Sequence, residues 1–332
     1  MNLRLRGVVY DVGVSPFPGR SSRPVFEAER CAEEMSVIAG ELGCTAVRIV
    51  GRDLDRLEIA AKEALRQGLE VWLSPIQHNA TAKELLAFLH QVAVVSERLR
   101  THGSVVLMIG WELTLFMRGL VMGKELFDRA KTFQKIRRLL VSTVRYGPFN
   151  SRLNSFLTKA LAVVQKDFTG PVAYAAGMWE QPDWSKFDYV TVDCYRDASN
   201  RERFPELIRG YKSHGKPVVA SEFGCCTFVG ARDKGSMGWA IVDREADPPQ
   251  IKGDYVRSEQ EQATELSEVL DLLETENFDG AFAYVFANYS YPHDEDPKFD
   301  LDMAAYGVIA CLEDGSWRRK EGFTTLAQRY KR

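Results

Sequence analysis

Short apolar, β-branched runs alternate along the chain with longer stretches in which apolar residues recur every three or four positions. The first run, Gly7-Val8-Val9-Tyr10-Asp11, predicts a strand. Ala28, Cys31, Ala32, Met35, Ile38, Ala39 and Leu42 then fall on one face of a helix that Gly43 ends. Ala46-Val47-Arg48-Ile49-Val50 is a second strand. It is followed by a helix capped by Asp53, with Leu57, Ala60, Ala61, Ala64 and Leu65 on its inner face and Gly68 at its end. Glu70-Val71-Trp72-Leu73-Ser74 is the third strand, and Thr81-Ala82-Lys83-Glu84 has the form of a capping box opening the third helix. Strand four, residues 105–112, is apolar until it ends in Glu112, and a long helical region broken near Gly147-Pro148 follows it. Strands five (172–176), six (189–193), seven (217–222) and eight (281–286) come next, and a helix around Thr325 to Tyr330 closes the chain.

About eight βα units in order predict an α/β protein with a closed (β/α)8 TIM barrel. The 332 residues exceed the roughly 200–250 that such a barrel needs. No repeat, low-complexity segment or Pro/Ser-rich linker divides them, so residues 1–332 are expected to form one barrel domain. The insertion after strand seven, about 224–255, is rich in Gly and charge and is a candidate lid, with a floppy insertion as the equal alternative.

In such barrels chemistry gathers at the carboxyl ends of the strands. There the sequence places Asp11, Arg48, His78, Glu112, Trp179, Glu180, Asp193, Tyr195, Glu222, Phe286 and Asn288. Carboxylates and aromatic rings dominate this set. No Lys lies inside a predicted strand, which argues against Schiff-base chemistry. Only His78 and His293 of the 5 His approach the predicted mouth, so no metal site and no cofactor is expected. Gly119 to Lys124 lacks the spacing of a phosphate loop, and Gly235-Ser236-Met237-Gly238 lacks that of a nucleophile elbow. A net charge of -3 gives no reason to expect nucleic acid or a membrane as partner. The N-terminal residues lack the form of a signal peptide, and the six Cys form no dense framework, so a cytoplasmic protein is expected. Cys31, Cys194 and Cys311 read as buried thiols, and the adjacent Cys225-Cys226 is a candidate reactive pair, against which the strain of a vicinal disulfide counts.

Paired carboxylates remain. Cleaving a glycosidic bond takes one protonated carboxyl for the leaving oxygen and one carboxylate for the anomeric centre. Glu112 and Glu222 end strands four and seven, on opposite sides of the mouth, and can flank one bond. Glu180 is the alternative acid. Trp179, Trp184, Tyr195, Tyr289 and Tyr291 follow strands and are candidates to line a sugar cleft.

Ser221-Glu222-Phe223-Gly224, Arg48 within Ala46-Val47-Arg48-Ile49, and Tyr195 within Asp193-Cys194-Tyr195 resemble the motifs of clan A glycoside hydrolases, retaining (β/α)8-barrel glycosidases. The resemblance implies double displacement, with Glu222 as nucleophile, Glu112 as acid/base, and Arg48 and Tyr195 bonded to the nucleophile. It implies a sugar site including Asp11, His78, Trp111, Trp179, Glu180, Asp193, Phe286, Asn288 and Tyr289. The chain differs from the family at two points. Trp111 stands where the family has an Asn that holds the sugar 2-hydroxyl, and Phe286 and Tyr289 stand where it has a Trp platform after strand eight. The expected substrate is a small β-linked oligosaccharide or glycosylated metabolite. A catalytically silent sugar-binding barrel and a transglycosylase are the alternatives.

Overall fold

Period-two alternation in the strands sorts their side chains into two apolar layers. Val8, Tyr10, Val47, Ile49, Val71, Leu73 and Leu107 pack with helix residues such as Leu57, Ala60 and Leu89. Leu5, Val9, Ala46, Val50, Trp72, Val106 and Met108 fill the space that the strands enclose. The computed structural model describes residues 3–16 and 19–331. Its eight parallel strands are β1 (Leu5–Asp11), β2 (Ala46–Gly51), β3 (Glu70–Pro75), β4 (Val105–Trp111), β5 (Val172–Gly177), β6 (Val190–Asp193), β7 (Val218–Phe223) and β8 (Gly280–Ala283). They pair in sequence order, and β8 returns to β1 through Leu5 opposite Gly280, which closes the barrel.

The helices begin where the sequence signals them. α1 (Ala28–Ser36) continues as a π-helical turn over Val37–Glu41. α2 (Leu54–Arg66) starts where the Asp53 carboxylate accepts from the Arg56 N–H at 3.0 Å. α3 (Ala82–Leu99) opens with the capping box between Thr81 and Glu84. After β4 the chain makes four helices instead of two: α4 (Leu113–Phe116), α5 (Leu126–Gln134), α6 (Ile136–Tyr146) and α7 (Phe149–Val164). Gly147, at φ 82, separates α6 from α7 as its residue type predicts. The break between α5 and α6 falls at Lys135, in extended backbone, where no Gly or Pro marks it. A 3-10 turn, Trp184–Lys186, lies between β5 and β6. α8 (Phe204–Gly210), α9 (Glu259–Thr275) and α10 (Glu321–Tyr330) complete the outer ring.

Two expectations change. Strand eight ends at Ala283, three residues earlier than predicted, and Phe286 lies beyond it. The long segment after β7 is built and packed. It contains 3-10 turns at Ala231–Asp233 and Gly235–Ile241 and a ribbon pairing Val242–Asp243 with Gln250–Ile251. Cys225, Cys226, Phe228 and Ile241 bury themselves there against Met303, Ala304 and Tyr306. Both cysteines are free thiols, and burial pushes each well above its ordinary range.

Trp72 is fully buried in the barrel interior, with ring centroids 4.8 Å from Tyr189 and 5.3 Å from Phe282. Trp72→Ala should therefore cost about 3–5 kcal/mol, the range for emptying a large aromatic site that cannot collapse. Urea denaturation followed by circular dichroism measures it, and a loss under about 1 kcal/mol would mean the barrel interior is not packed as described.

Candidate active site

Simple alternation does not deliver the two glutamates to one place. On β7 Val219 and Ser221 face inward, so Glu222 would face the helices. The register of β7 shifts by one residue against both β6 and β8, next to Glu222. On β4 a shift between Met108 and Trp111 similarly turns Trp111 into the interior cluster. Bulges of this kind re-aim side chains at barrel rims. Here they let Ser221 and Glu222 both reach the mouth.

Glu222 is buried there and held at both carboxylate oxygens. Arg48 donates to Oε1 at 3.0 Å, and the Tyr195 hydroxyl donates to Oε2 at 2.9 Å. Arg48 is fully buried. It also donates to the Ser221 carbonyl at 3.0 Å and lies 3.6 Å from Asp193, with its guanidinium 5.0 Å from the Trp111 ring centroid. Asp193 accepts from Ser221 Oγ at 2.7 Å and from the Trp111 indole N–H at 2.9 Å. Five of the expected site residues (Arg48, Trp111, Asp193, Tyr195 and Glu222) thus form one bonded cluster. Ser74 and Ser221, which sequence reasoning did not single out, complete it.

Glu112 sits at the N-terminal end of α4 in left-handed backbone, φ 39 and ψ 48, and its side chain is only half-buried. Burial first, then the charges on Asp193 and Glu222, push its pKa well above the ordinary carboxylate range. Glu222 is raised as well, by burial and then Asp193, with Arg48 and Tyr195 acting against the rise. Asp193 is pushed up to about 6 by burial, opposed by Arg48. Three carboxyl groups thus share one guanidinium. The cluster retains protons that exposed carboxylates would release, and Glu222 has the bonds that favour its charged form.

Glu180 is also buried, but both of its oxygens are taken. Oε1 accepts from the Thr114 N–H at 2.9 Å and its hydroxyl at 2.6 Å; Oε2 accepts from the Tyr174 hydroxyl at 2.7 Å and the Gly177 N–H at 3.2 Å. The Tyr174 hydroxyl in turn accepts from the Leu113 N–H at 2.9 Å. Burial pushes Glu180 up to about 7. These bonds fasten the first turn of α4, and so the backbone that carries Glu112. Trp179 joins them by donating its indole N–H to Thr114 Oγ1 at 2.9 Å, and its ring lies where a Cβ on Gly177 would stand.

The other expected residues divide between rim and core. His78 meets Phe116 edge-on at 4.7 Å, and Phe116 meets Trp111 at 5.1 Å. Burial, then Arg129 and Arg52, hold His78 down at about 3, so it is neutral. Asp11 is buried and accepts from the Gly13 N–H at 2.7 Å. Phe286 is a fully buried core ring beside Tyr10 and Trp317, and not a surface platform. Asn288 accepts from the Gly307 N–H at 2.9 Å. Tyr289 turns its hydroxyl to Glu34 at 2.8 Å, with Arg23 stacked on its ring at 4.0 Å. The aromatic residue at the end of β8 is Tyr284. It lies 6.1 Å from Trp111 and 5.8 Å from Tyr306, and burial, then the charge on Glu222, raises its pKa. Sequence reasoning passed over Tyr284, although the signal was there: it follows Phe282 at period two, and both pack in the interior cluster.

No family model matches the chain, and no curated protein matches it. Solved structures do resemble it. A GH113 β-1,4-mannanase superposes with a TM-score of 0.65 at 15% identity, over 99% of this chain and 99% of that one. A GH5-4 broad-specificity endoglucanase from Clostridium longisporum gives 0.59 at 11% identity, over 98% and 97%. The family 1 β-glucosidase from Thermotoga maritima gives 0.56 at 11%, over 100% and 98%. The barrel is the fold of these glycoside hydrolases. At such identities the likeness concerns the fold.

Removing the one cation from this cluster should be costly. Arg48→Met leaves buried carboxylates uncompensated, and should destabilise the protein by about 3–5 kcal/mol at neutral pH. Arg48 attracts Asp193 and Glu222 only while they are ionised, so its contribution is present above about pH 6 and is lost as Asp193 takes up its proton below that. Denaturation of both proteins between pH 5 and pH 8 tests this. A deficit that is small, or that grows on acidification, would contradict the assigned role.

Proposed function

We propose that the protein is a retaining glycoside hydrolase acting on a small β-linked oligosaccharide or glycosylated metabolite, with Glu222 as nucleophile and Glu112 as acid/base. The observation that carries the reading is the asymmetry of the two strand-terminal glutamates. Glu222 is fixed through both oxygens by Arg48 and Tyr195, while the charges of Asp193 and Glu222 help to keep Glu112 protonated.

In the first step Glu112 gives its proton to the glycosidic oxygen as Glu222 Oε attacks the anomeric carbon. The bond to the leaving group breaks with its electron pair, and a glycosyl ester forms on Glu222. Glu112, now ionised, then takes a proton from water, which attacks the same carbon and releases Glu222. Two inversions give net retention. Arg48 and Tyr195 stabilise the carboxylate that is regenerated, and the Glu180 network keeps Glu112 aimed. β-Linked substrates are in keeping with the mannanase, endoglucanase and β-glucosidase that the barrel resembles. The Trp111 N–H is bonded to Asp193. It is therefore not available to a sugar 2-hydroxyl, and recognition at that position falls to other groups.

Two measurements test the roles. Glu112→Ala should lower kcat/KM on alkyl glycosides by about 10²–10⁴-fold and leave it much nearer normal on aryl glycosides whose leaving group needs no proton, because kcat/KM reports the first step and not the water attack that Glu112 also assists. Equal loss on both would remove Glu112 from the acid/base role. Proton NMR of the first sugar released should show the anomer of the substrate, and an inverted product would reject double displacement.

A further inference from the structure

The net charge of -3 conceals an uneven distribution. From Lys131 to Arg152 the chain has no Asp or Glu, but carries Lys131, Lys135, Arg137, Arg138, Arg145 and Arg152. Among the described residues none of these six pairs with a carboxylate. Arg152 donates to the carbonyls of Gly119 and Tyr146, and Arg145 lies 5.5 Å from the Tyr146 ring centroid.

α6 occupies the middle of this stretch and buries a single residue, Ser142. Across the helix from it, Ile136, Leu140 and Val144 follow one another at i, i+4 and i+8, exposed to 68%, 59% and 89%, with Val141 beside them at 55%. Isolated exposed aliphatic residues are ordinary, but an aligned stripe flanked by cations is not. Arg137 lies within this stripe, and Arg138 and Arg145 follow Val141 along one edge of it, the pattern of a helix that lies in a lipid interface. A helix that buries one residue stands out from the body as a ridge. A deformable lipid surface accepts such a ridge, whereas a protein partner would have to present a matching groove. A second copy of this chain is disfavoured by charge, since a two-fold contact through α6 would set the same cations against each other.

We propose that α6 docks the protein on membranes rich in anionic phospholipid. Ile136, Leu140, Val141 and Val144 enter the boundary between headgroups and acyl chains, and Arg137, Arg138 and Arg145 rest on the phosphates. No described helix is long and apolar enough to cross a membrane, so this attachment is peripheral. The preceding helix α5 packs Phe133 against Trp179 at 6.0 Å, which places the docked surface next to the mouth of the barrel.

The test is sedimentation of the full chain with lipid vesicles. Vesicles of phosphatidylcholine with about a third phosphatidylglycerol should retain it at low ionic strength, and pure phosphatidylcholine should not. Raising salt to about half molar should weaken retention at least tenfold. Arg137→Glu with Arg145→Glu should weaken it at least tenfold, as should Leu140→Ser with Val144→Ser. These four side chains are exposed, so thermal melting should be unchanged in both variants. No retention on the anionic vesicles, equal retention on neutral ones, or retention indifferent to both pairs of substitutions would overturn the proposal. Retention on immobilised polyglutamate without vesicle binding would overturn it in favour of an acidic protein partner. A dimer in sedimentation velocity that Leu140→Ser with Val144→Ser dissociates, again without vesicle binding, would overturn it in favour of self-association.

Discussion

The guanidinium of Arg48 is the interaction on which the candidate site depends. It projects from β2 into the barrel, fully buried, and meets carboxyl groups from β6 and β7 together with the face of Trp111 from β4. Without a cation there, three carboxyl groups in a low-dielectric mouth could relieve their mutual repulsion only by taking up protons. With it, charge is favoured on Asp193 and Glu222, while burial and those charges push Glu112 toward its protonated form. That division of states is what acid/base and nucleophilic roles require of chemically identical side chains.

The constraint extends outward. Asp193 joins the ion cluster to Trp111 through the indole N–H, and Trp111 leads through Phe116 to the half-buried ring of His78. From the other side, Glu180 gathers Thr114, Tyr174 and Gly177 around the turn that presents Glu112. Arg129 acts likewise although it is fully buried and lies far from the ion cluster in sequence. It donates to Asn79 and to the carbonyls of Leu115, Phe116 and Lys124, fastening the loop after β3 to that after β4. Glu180, which reads as an alternative acid in the sequence, and Arg129 are thus supports for neighbouring loops.

The architecture was legible because apolar periodicity and capping residues act locally. Asp53, Thr81, Glu84 and Gly147 each do at their positions what their residue types suggest. The terminal glutamates of strands four and seven were legible for the same reason, since a charged residue after an apolar run marks a strand end. What local pattern could not give was the register. The one-residue shifts on β4 and β7 arise from pairing with neighbours distant in sequence, and they bring Trp111 and Glu222 to the interior. The misplacement of Phe286 has a simpler cause. An apolar run that continues past its strand keeps a strand's composition, while its side chains have already turned into the core behind β1. The break at Lys135 carries no Gly or Pro at all, so α6 and its exposed stripe emerge only from the structure.

The central claim is that Glu222 is the residue to which a sugar becomes attached. Incubating the protein with a panel of 2-deoxy-2-fluoro glycosides that carry good leaving groups, followed by peptide mass spectrometry, tests it directly. The account predicts that one or more sugars add a single glycosyl group on the peptide containing Glu222, and that the adduct is lost in Glu222→Gln. A stable adduct on Glu112, Glu180 or Asp193 instead would contradict it.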